Sequence, residues 1–301
     1  MDTLQNVEVA WSAAYQEGLD KFGDYTQAFP EITEVYESRE LTTNLALVLG
    51  EPIVREWKDN ETRIVDHFSS TSYDVGIRDW ALTIGMHKRY LDYDKLGVTM
   101  KRFERLPLAI PRHYESLAFS TLIAGFATNC WDGQFFFDTD HPYFRDEVTA
   151  TQYSNYLNQA LSTVSFEAAR RRLRSIARQS SNDALNPCSD LRLIVGPDLD
   201  ELAHEIVAPN KNPSGYNRNA NAAKVEVVNG LMPYPGYWFL WDATLGLKPV
   251  FLKVNKRMDE MVIFNKPTDP GVFHRKMVIA GADGEHEVAY LHPMNIIGCH
   301  P

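Results

Sequence analysis

The run "NCWDGQFFFDTDHP", Asn129 to Pro142, holds the residues whose types and spacing could do chemistry. Asp138, Asp140 and His141 place two carboxylates and an imidazole within four positions. Oxygen and nitrogen donors that close could ligate a divalent cation, as the metal of a hydrolase, or form an acid/base cluster. A catalytic zinc site needs three protein ligands with outer support, and no HExxH or comparable partner motif occurs elsewhere in the chain. The competing reading is a turn ended by Pro142, in which Asp side chains hydrogen-bond the local backbone. It carries more weight, because Asp serves turns this way so often.

Other chemistry is less well marked. Cys130 beside Trp131 could be a thiol nucleophile, but nothing marks a partner histidine, and a buried structural cysteine is the simpler reading. There is no GxSxG, P-loop or dinucleotide fingerprint. The nine histidines are scattered, and no two are spaced i, i+4 as a helical metal pair would be. No cofactor is expected. The arginines of 170–178 could face phosphates or a neighbour's carboxylates, with a solvated helix face as the plainer alternative.

Bulk properties narrow the classes. Hydrophobic residues make up 44% of 301 positions and charged residues 23%, as in an ordinary globular chain. A formal net charge of −10 argues against a protein that grips nucleic acid, which needs a basic surface to displace counterions. It leaves room for one that encloses nucleic acid. The N-terminus lacks a basic start and apolar run, and no stretch approaches the roughly 18–20 apolar residues of a membrane helix. Cys130, Cys188 and Cys299 are far apart and odd in number, which suggests synthesis in a reducing cytosol.

Elements must position these residues. Asn6 to Phe22 reads as an amphipathic helix, with Val9, Ala13 and Gln16 on one stripe and Trp11, Tyr15 and Leu19 on another. A helix this aromatic must pack on its own body or on a neighbouring subunit. Pro52 to Leu91 alternates apolar and polar residues, with a break expected near Arg78-Asp79, and reads as a long charged antiparallel hairpin reaching another chain. Tyr93 to Thr128 is helical, with interruptions expected at Pro107 and Pro111. Ser165 is expected to cap a helix over 166–179, with Phe166, Ala169, Leu173 and Ile176 inward. A strand over Leu191–Val195, an Asp198 cap and a helix follow. After an Asn-rich loop over 210–223 come closing strands, the last two around a turn at Gly281–Gly284. The order is α+β, without regular βαβ winding.

The motifs in this order carry a resemblance. "CWDGQFFFDTDHP" closely resembles a signature of the major head subunit of Mu-like phages, the gpT family. "LRLIVGPDLDELAHEIV" resembles that family's strand-helix step, and "LKPVFLKVNKR" with "GVFHRKMVIAGADGEHEV" its closing segment. The resemblance implies a Hong Kong 97-type capsid fold. Its parts would be an N-terminal arm (1–29), an extended loop (51–91), a peripheral domain with a spine helix (30–50, 92–185 and 263–301) and an axial domain (186–262).

The function implied is a non-enzymatic major capsid protein, assembling as hexamers and pentamers into an icosahedral shell around double-stranded DNA. Its partners would be itself, a scaffold and protease, a portal and decoration proteins, with no membrane. It would be assembled in the bacterial cytoplasm and end in the virion. Expected inter-subunit contacts are Trp11 and Tyr15 in the arm, Arg55, Trp57, Arg63, Arg78 and Trp80 in the loop, and Arg171 and Arg174 on the arginine-rich helix. The alternatives are the metal-dependent hydrolase and a same-fold compartment enclosing enzymes.

Overall fold

The computed structural model describes residues 3–22, 32–49, 56, 69–92, 98–143, 152–176, 186–209 and 217–301. The first elements are α1 (Thr3–Phe22), β1 (Thr33–Glu37), β2 (Thr43–Leu49), β3 (Ser69–Val75) and β4 (Arg78–His87). Then come α2 (Lys88–Asp92), α3 (Val98–Arg105), α4 (Ala109–Ala124), β5 (His141–Pro142), β6 (Gln152–Tyr153), β7 (Tyr156–Leu157) and α5 (Thr163–Ser175). The last are β8 (Leu191–Val195), α6 (Asp200–Val207), β9 (Lys224–Val227), β10 (Trp238–Asp242), β11 (Val250–Lys256), β12 (Val262–Phe264), α7 (Pro270–Arg275), β13 (Met277–Tyr290) and β14 (Ile296–Cys299). Among the described residues no helix is long and apolar enough to cross a membrane. The chain divides into two compact units, 1–43 with 76–118 and 252–288, and 44–75 with 119–251 and 289–301.

In the first unit, α1 buries Trp11, Ala14, Tyr15 and Gly18, the i, i+3, i+4, i+7 stripe of a helix. Trp11 stacks on Phe103 of α3 at 3.7 Å between centroids. A Cβ at Gly18 would meet the Glu104 carbonyl oxygen at 2.1 Å, so only glycine lets α1 come this close. The stripe expected through Val9, Ala13 and Gln16 faces solvent instead. Pro107 breaks the helical run into α3, a 3₁₀ turn (Leu106–Leu108) and α4. Pro111 does not interrupt, because it lies in the first turn of α4, where its missing N–H has no intrahelical acceptor.

β4 pairs antiparallel with β13 from Arg78↔His286 to His87↔Met277. The expected turn at Gly281–Gly284 is therefore the middle of a continuous 14-residue strand. Its glycines serve close packing: a Cβ at Gly281 would lie 3.1 Å from the Leu82 carbonyl oxygen, and one at Gly284 2.8 Å from Met258 Cγ. The hairpin expected over Pro52–Leu91 also differs. β3 pairs with the upstream β2, β4 joins β13, and the break falls at Gly76-Ile77.

In the second unit, a five-stranded sheet runs β7-β14-β10-β8-β9. β8 and β9 are parallel and flank α6, whereas β10 is antiparallel to both β8 and β14. All five residues of β10 are buried, the mark of a strand covered on both faces. On one face α5 and α6 lay Phe166, Ala169, Leu173, Ala203 and Ile206 against Leu193, Trp238 and Leu240. Ser162 caps α5, three residues before the expected cap; Ser162 and Ser165 hydrogen-bond reciprocally in a capping box. Asp198 does not cap α6; its Oδ2 accepts from the Gly236 N–H at 2.8 Å.

Candidate functional site

The opposite face of the β10 sheet is where Asn129–Pro142 lies. After α4 the chain turns at Gly125. A Cβ there would crowd the Leu122 carbonyl oxygen at 2.9 Å and Phe136 at 3.1 Å. A tight loop follows. The Cys130 N–H donates to the Gln134 carbonyl at 2.6 Å, and Gly133 supplies the positive φ of +89° that a side chain would resist. Asn129 and Phe135 form an antiparallel bridge.

The three phenylalanines diverge. Phe135 is 42% exposed, Phe136 is 0% and Phe137 is 2%. Phe136 stacks on Tyr290 at 4.6 Å. Phe137 packs near Phe126 and Phe239 and covers Gly298, where a Cβ would lie 2.5 Å from the ring. Phe239 and Gly298 are register partners, so this contact seals the second face of the sheet.

The polar end closes on itself. Asp138 accepts from the backbone N–H groups of Thr139 (2.7 Å) and Phe135 (3.3 Å), as expected of a turn aspartate. Asp140 lies against Asp138. Its carboxyl is held above the usual range by lost hydration first and the Asp138 charge second. His141 is turned away from both. Its Nδ1 meets Asp132 Oδ2 at 2.6 Å and its Nε2 meets Asn155 Oδ1 at 3.1 Å, with Tyr153 stacked on the ring.

Asn155 fixes this arrangement. Its Nδ2 donates to the carbonyls of Phe136 (2.7 Å) and Pro293 (3.0 Å). Its Oδ1 also accepts from the Asp138 N–H at 2.9 Å. The amide orientation is thus set by two carbonyls, and both ring nitrogens of His141 face acceptors. Both are thus occupied by Asp132 and Asn155, and neither is aimed at Asp138 or Asp140. Among the described residues no group of three His, Cys, Asp or Glu side chains is arranged to hold one. The donor set Asp138, Asp140 and His141 therefore does not converge, and the buried pair is His141 with Asp132. Sequence spacing missed Asp132 and Asn155. Their only signal was an Asp nine residues before His141 and a polar Asn in a tyrosine-rich run.

Cys130, Cys188 and Cys299 are free and buried. Burial, with the Asp132 charge, pushes the Cys130 thiol well up, the opposite of an activated nucleophile.

The expected contact residues fall into three groups. Trp11 and Tyr15 are each 1% exposed and packed within the first unit, Tyr15 donating its hydroxyl to the Met258 carbonyl at 2.8 Å. They are core residues and do not present a surface to a neighbour. Arg55, Trp57 and Arg63 lie outside the described residues. The rest are at least partly exposed. Arg78 pairs with Glu287 and lies 5.3 Å over Trp80, whose indole N–H donates to the His286 carbonyl. Arg171 and Arg174 line a groove of about 320 Å³ with Glu167, Arg170, Arg218 and Asn219.

A second histidine pair was missed. His113 and His286 face each other, Nε2 to Nε2, at 2.8 Å beside Trp80. His286 is fully buried; desolvation, then the His113 and Arg78 charges, push it down to about 3. The two positions are 173 residues apart, so no spacing rule joins them.

Comparison with known proteins places this architecture. Over 141 residues the chain is 30% identical to the Mu-like prophage FluMu major head subunit of Haemophilus influenzae, covering 47% of this chain and 44% of that one. Over 142 residues it is 23% identical to the major capsid protein of Escherichia phage Mu, covering 47% and 45%. The chain thus spans a little under half the length of the curated relatives it matches. The structure superimposes on a chain of the bacteriophage JBD30 procapsid with a TM-score of 0.61 at 18% identity, covering 99% of this chain and 74% of that one. The fold is α+β, of the Hong Kong 97 type found in phage capsid proteins. The family model for the Mu-like prophage major head subunit gpT matches residues 4–166, more than half of the chain, and the chain belongs to that family.

Proposed function

We propose that this chain is the major head subunit of a Mu-like phage or prophage particle. Hexamers and pentamers of it close into an icosahedral shell around double-stranded DNA. The observation that carries the reading is family membership joined to a capsid-type fold running through 99% of the chain. The role is structural and not enzymatic. The one cluster that suggested catalysis is a closed hydrogen-bonded junction. A formal charge of −10 suits a wall that encloses DNA without gripping it, so the genome can enter and leave.

In this reading Arg78, Trp80, Arg171 and Arg174 meet neighbouring subunits. Each contact is modest, and symmetry repeats it, so avidity holds the shell. Further partners are a scaffold and protease, a portal and decoration proteins. Assembly takes place in the bacterial cytoplasm and the product is the virion. Negative-stain electron microscopy of the purified protein tests this: closed shells are expected, and a protein that stays a dispersed subunit under all assembly conditions sinks it. Nuclease-protected DNA inside particles from cells separates a phage head from a compartment loaded with enzymes.

A further inference from the structure

The groove on α5 is rich in cations. Glu167, Arg170, Arg171 and Arg174 line it from α5, whose Phe166, Ala169 and Leu173 are buried, and Arg218 joins them from the turn beside Asn219. Four guanidiniums share the groove with one carboxylate, and that carboxylate already accepts from Asn219 Nδ2 at 3.1 Å. Among the described residues, Arg170, Arg171 and Arg218 have no carboxylate within ion-pair distance. Like charges held together repel by about 1 kcal/mol per close pair even in water. A chain with ten surplus negative charges has ample acid to relieve this, yet among the described residues Glu167 is the one carboxylate that lines the groove.

The same unit carries a matching surface. On α6, Ala203, Ile206 and Val207 are buried, and Glu201 and Glu205 point to the opposite side, both exposed. Asp200 is engaged by His204 at 2.8 Å, whereas Glu201 and Glu205 have no cationic partner among the described residues. Glu201 to Glu205 spans a rise of about 6 Å and Arg171 to Arg174 about 4.5 Å, each close to one helical turn. Two parallel or antiparallel helices could therefore form both pairs at once, and a guanidinium fork fits a carboxylate bidentately.

We propose that the α5 groove of one copy receives the Glu201/Glu205 face of α6 from the next copy. The contact is heterologous, head to tail, and repeated by rotation it closes a ring. This rests on the capsid reading and names the pair of surfaces that joins its subunits. The acidic total of the chain favours a carboxylate occupant over a nucleic-acid phosphate.

Complementary charge reversal tests it on the full chain. R171E/R174E and E201K/E205K are each expected to keep the wild-type circular dichroism melt and to lose association in sedimentation velocity at least tenfold. An equimolar mixture of the two should associate again. It joins an intact groove to an intact acidic face, and a reversed groove to a reversed face. The neutral R171A/R174A guards against misfolding of the reversed forms and should also weaken association at least tenfold. Wild-type association by R171E/R174E, or a mixture no better than its components, overturns the proposal. So does a 20-nucleotide single strand that binds the wild type, fails on R171E/R174E, and accompanies no regain on mixing. Shells from both wild type and R171E/R174E sink the groove alone. A wild type that never assembles sinks the capsid reading, and the groove with it.

Discussion

The junction at Asn129–Pro142 and the groove on α5 are both polar, and they spend that polarity in opposite ways. In the junction His141, Asp138 and Asn155 all have partners inside the same unit: His141 has Asp132 and Asn155, Asp138 has two backbone N–H groups, and Asn155 has two carbonyls. In the groove four guanidiniums converge around one carboxylate. A buried polar group left unpaired costs more than a pair gains, so a closed network is a sign of construction. An open, uncompensated surface is where a second molecule can contribute. In this protein the residues that look catalytic build the subunit, and the residues that look merely solvated are those we propose to meet a neighbour.

That contrast can be broken most severely at Asn155. Asn155→Ala leaves His141 Nε2, the Asp138 N–H and two carbonyls without partners, and should cost roughly 4 kcal/mol in a denaturant melt. A cost under about 1 kcal/mol would mean that water replaces the amide and the junction is not closed. Phe137→Ala should cost about 3 kcal/mol, because the ring fills the space over Gly298, while Phe135→Ala, at the exposed position, should stay below about 1 kcal/mol.

Acidification sharpens the comparison through the other histidine pair. His286 is depressed to about 3 in the fold, against about 6.5 unfolded. The folded state thus binds fewer protons between those values, and stability rises with pH. His286's contribution is complete above about pH 6.5 and is lost as pH falls toward about 3. His113, Arg78, Trp80 and Tyr114 surround it. His113 is shifted in the same direction by desolvation and then the Arg78 charge. A pH series of melts should show a loss of a few kcal/mol over that window, and His286→Gln should flatten it. An unchanged slope in the variant would assign the acid sensitivity elsewhere, as to His292, which burial pushes down to about 4.

The smallest effects are expected on the groove side and at the rejected metal ligand. R171A/R174A should change the subunit's stability by no more than about 0.5 kcal/mol, since neither side chain is buried. Asp140→Ala should be similarly mild and should leave metal content, measured by plasma emission spectrometry, the same as wild type. A stoichiometric metal lost with Asp140 would reopen the hydrolase reading.

Much of this was legible along the chain, because local periodicity records burial directly. The inward residues of α5, the strand Leu191–Val195 and the helix after it follow from apolar spacing alone. The break at Pro107 follows from the proline itself, which lacks the N–H of a helix interior. Errors arose where a local cue had a distant cause. Gly281–Gly284 imitates a turn, but the glycines answer to Leu82 and Met258 on other strands. Trp11 and Tyr15 read as contacts for a neighbour because their partners, Phe103 and Met258, are 92 and 243 positions away and could not be seen.

The sequence by itself determined the family, the α+β class and the acidic character, since these reside in residue order and composition. Only the tertiary structure decided what Asp138, Asp140 and His141 do. Whether three neighbouring donors converge on an ion depends on which way each is turned. That is set by Asp132 and Asn155 and by the aromatic packing beneath them, and not by spacing.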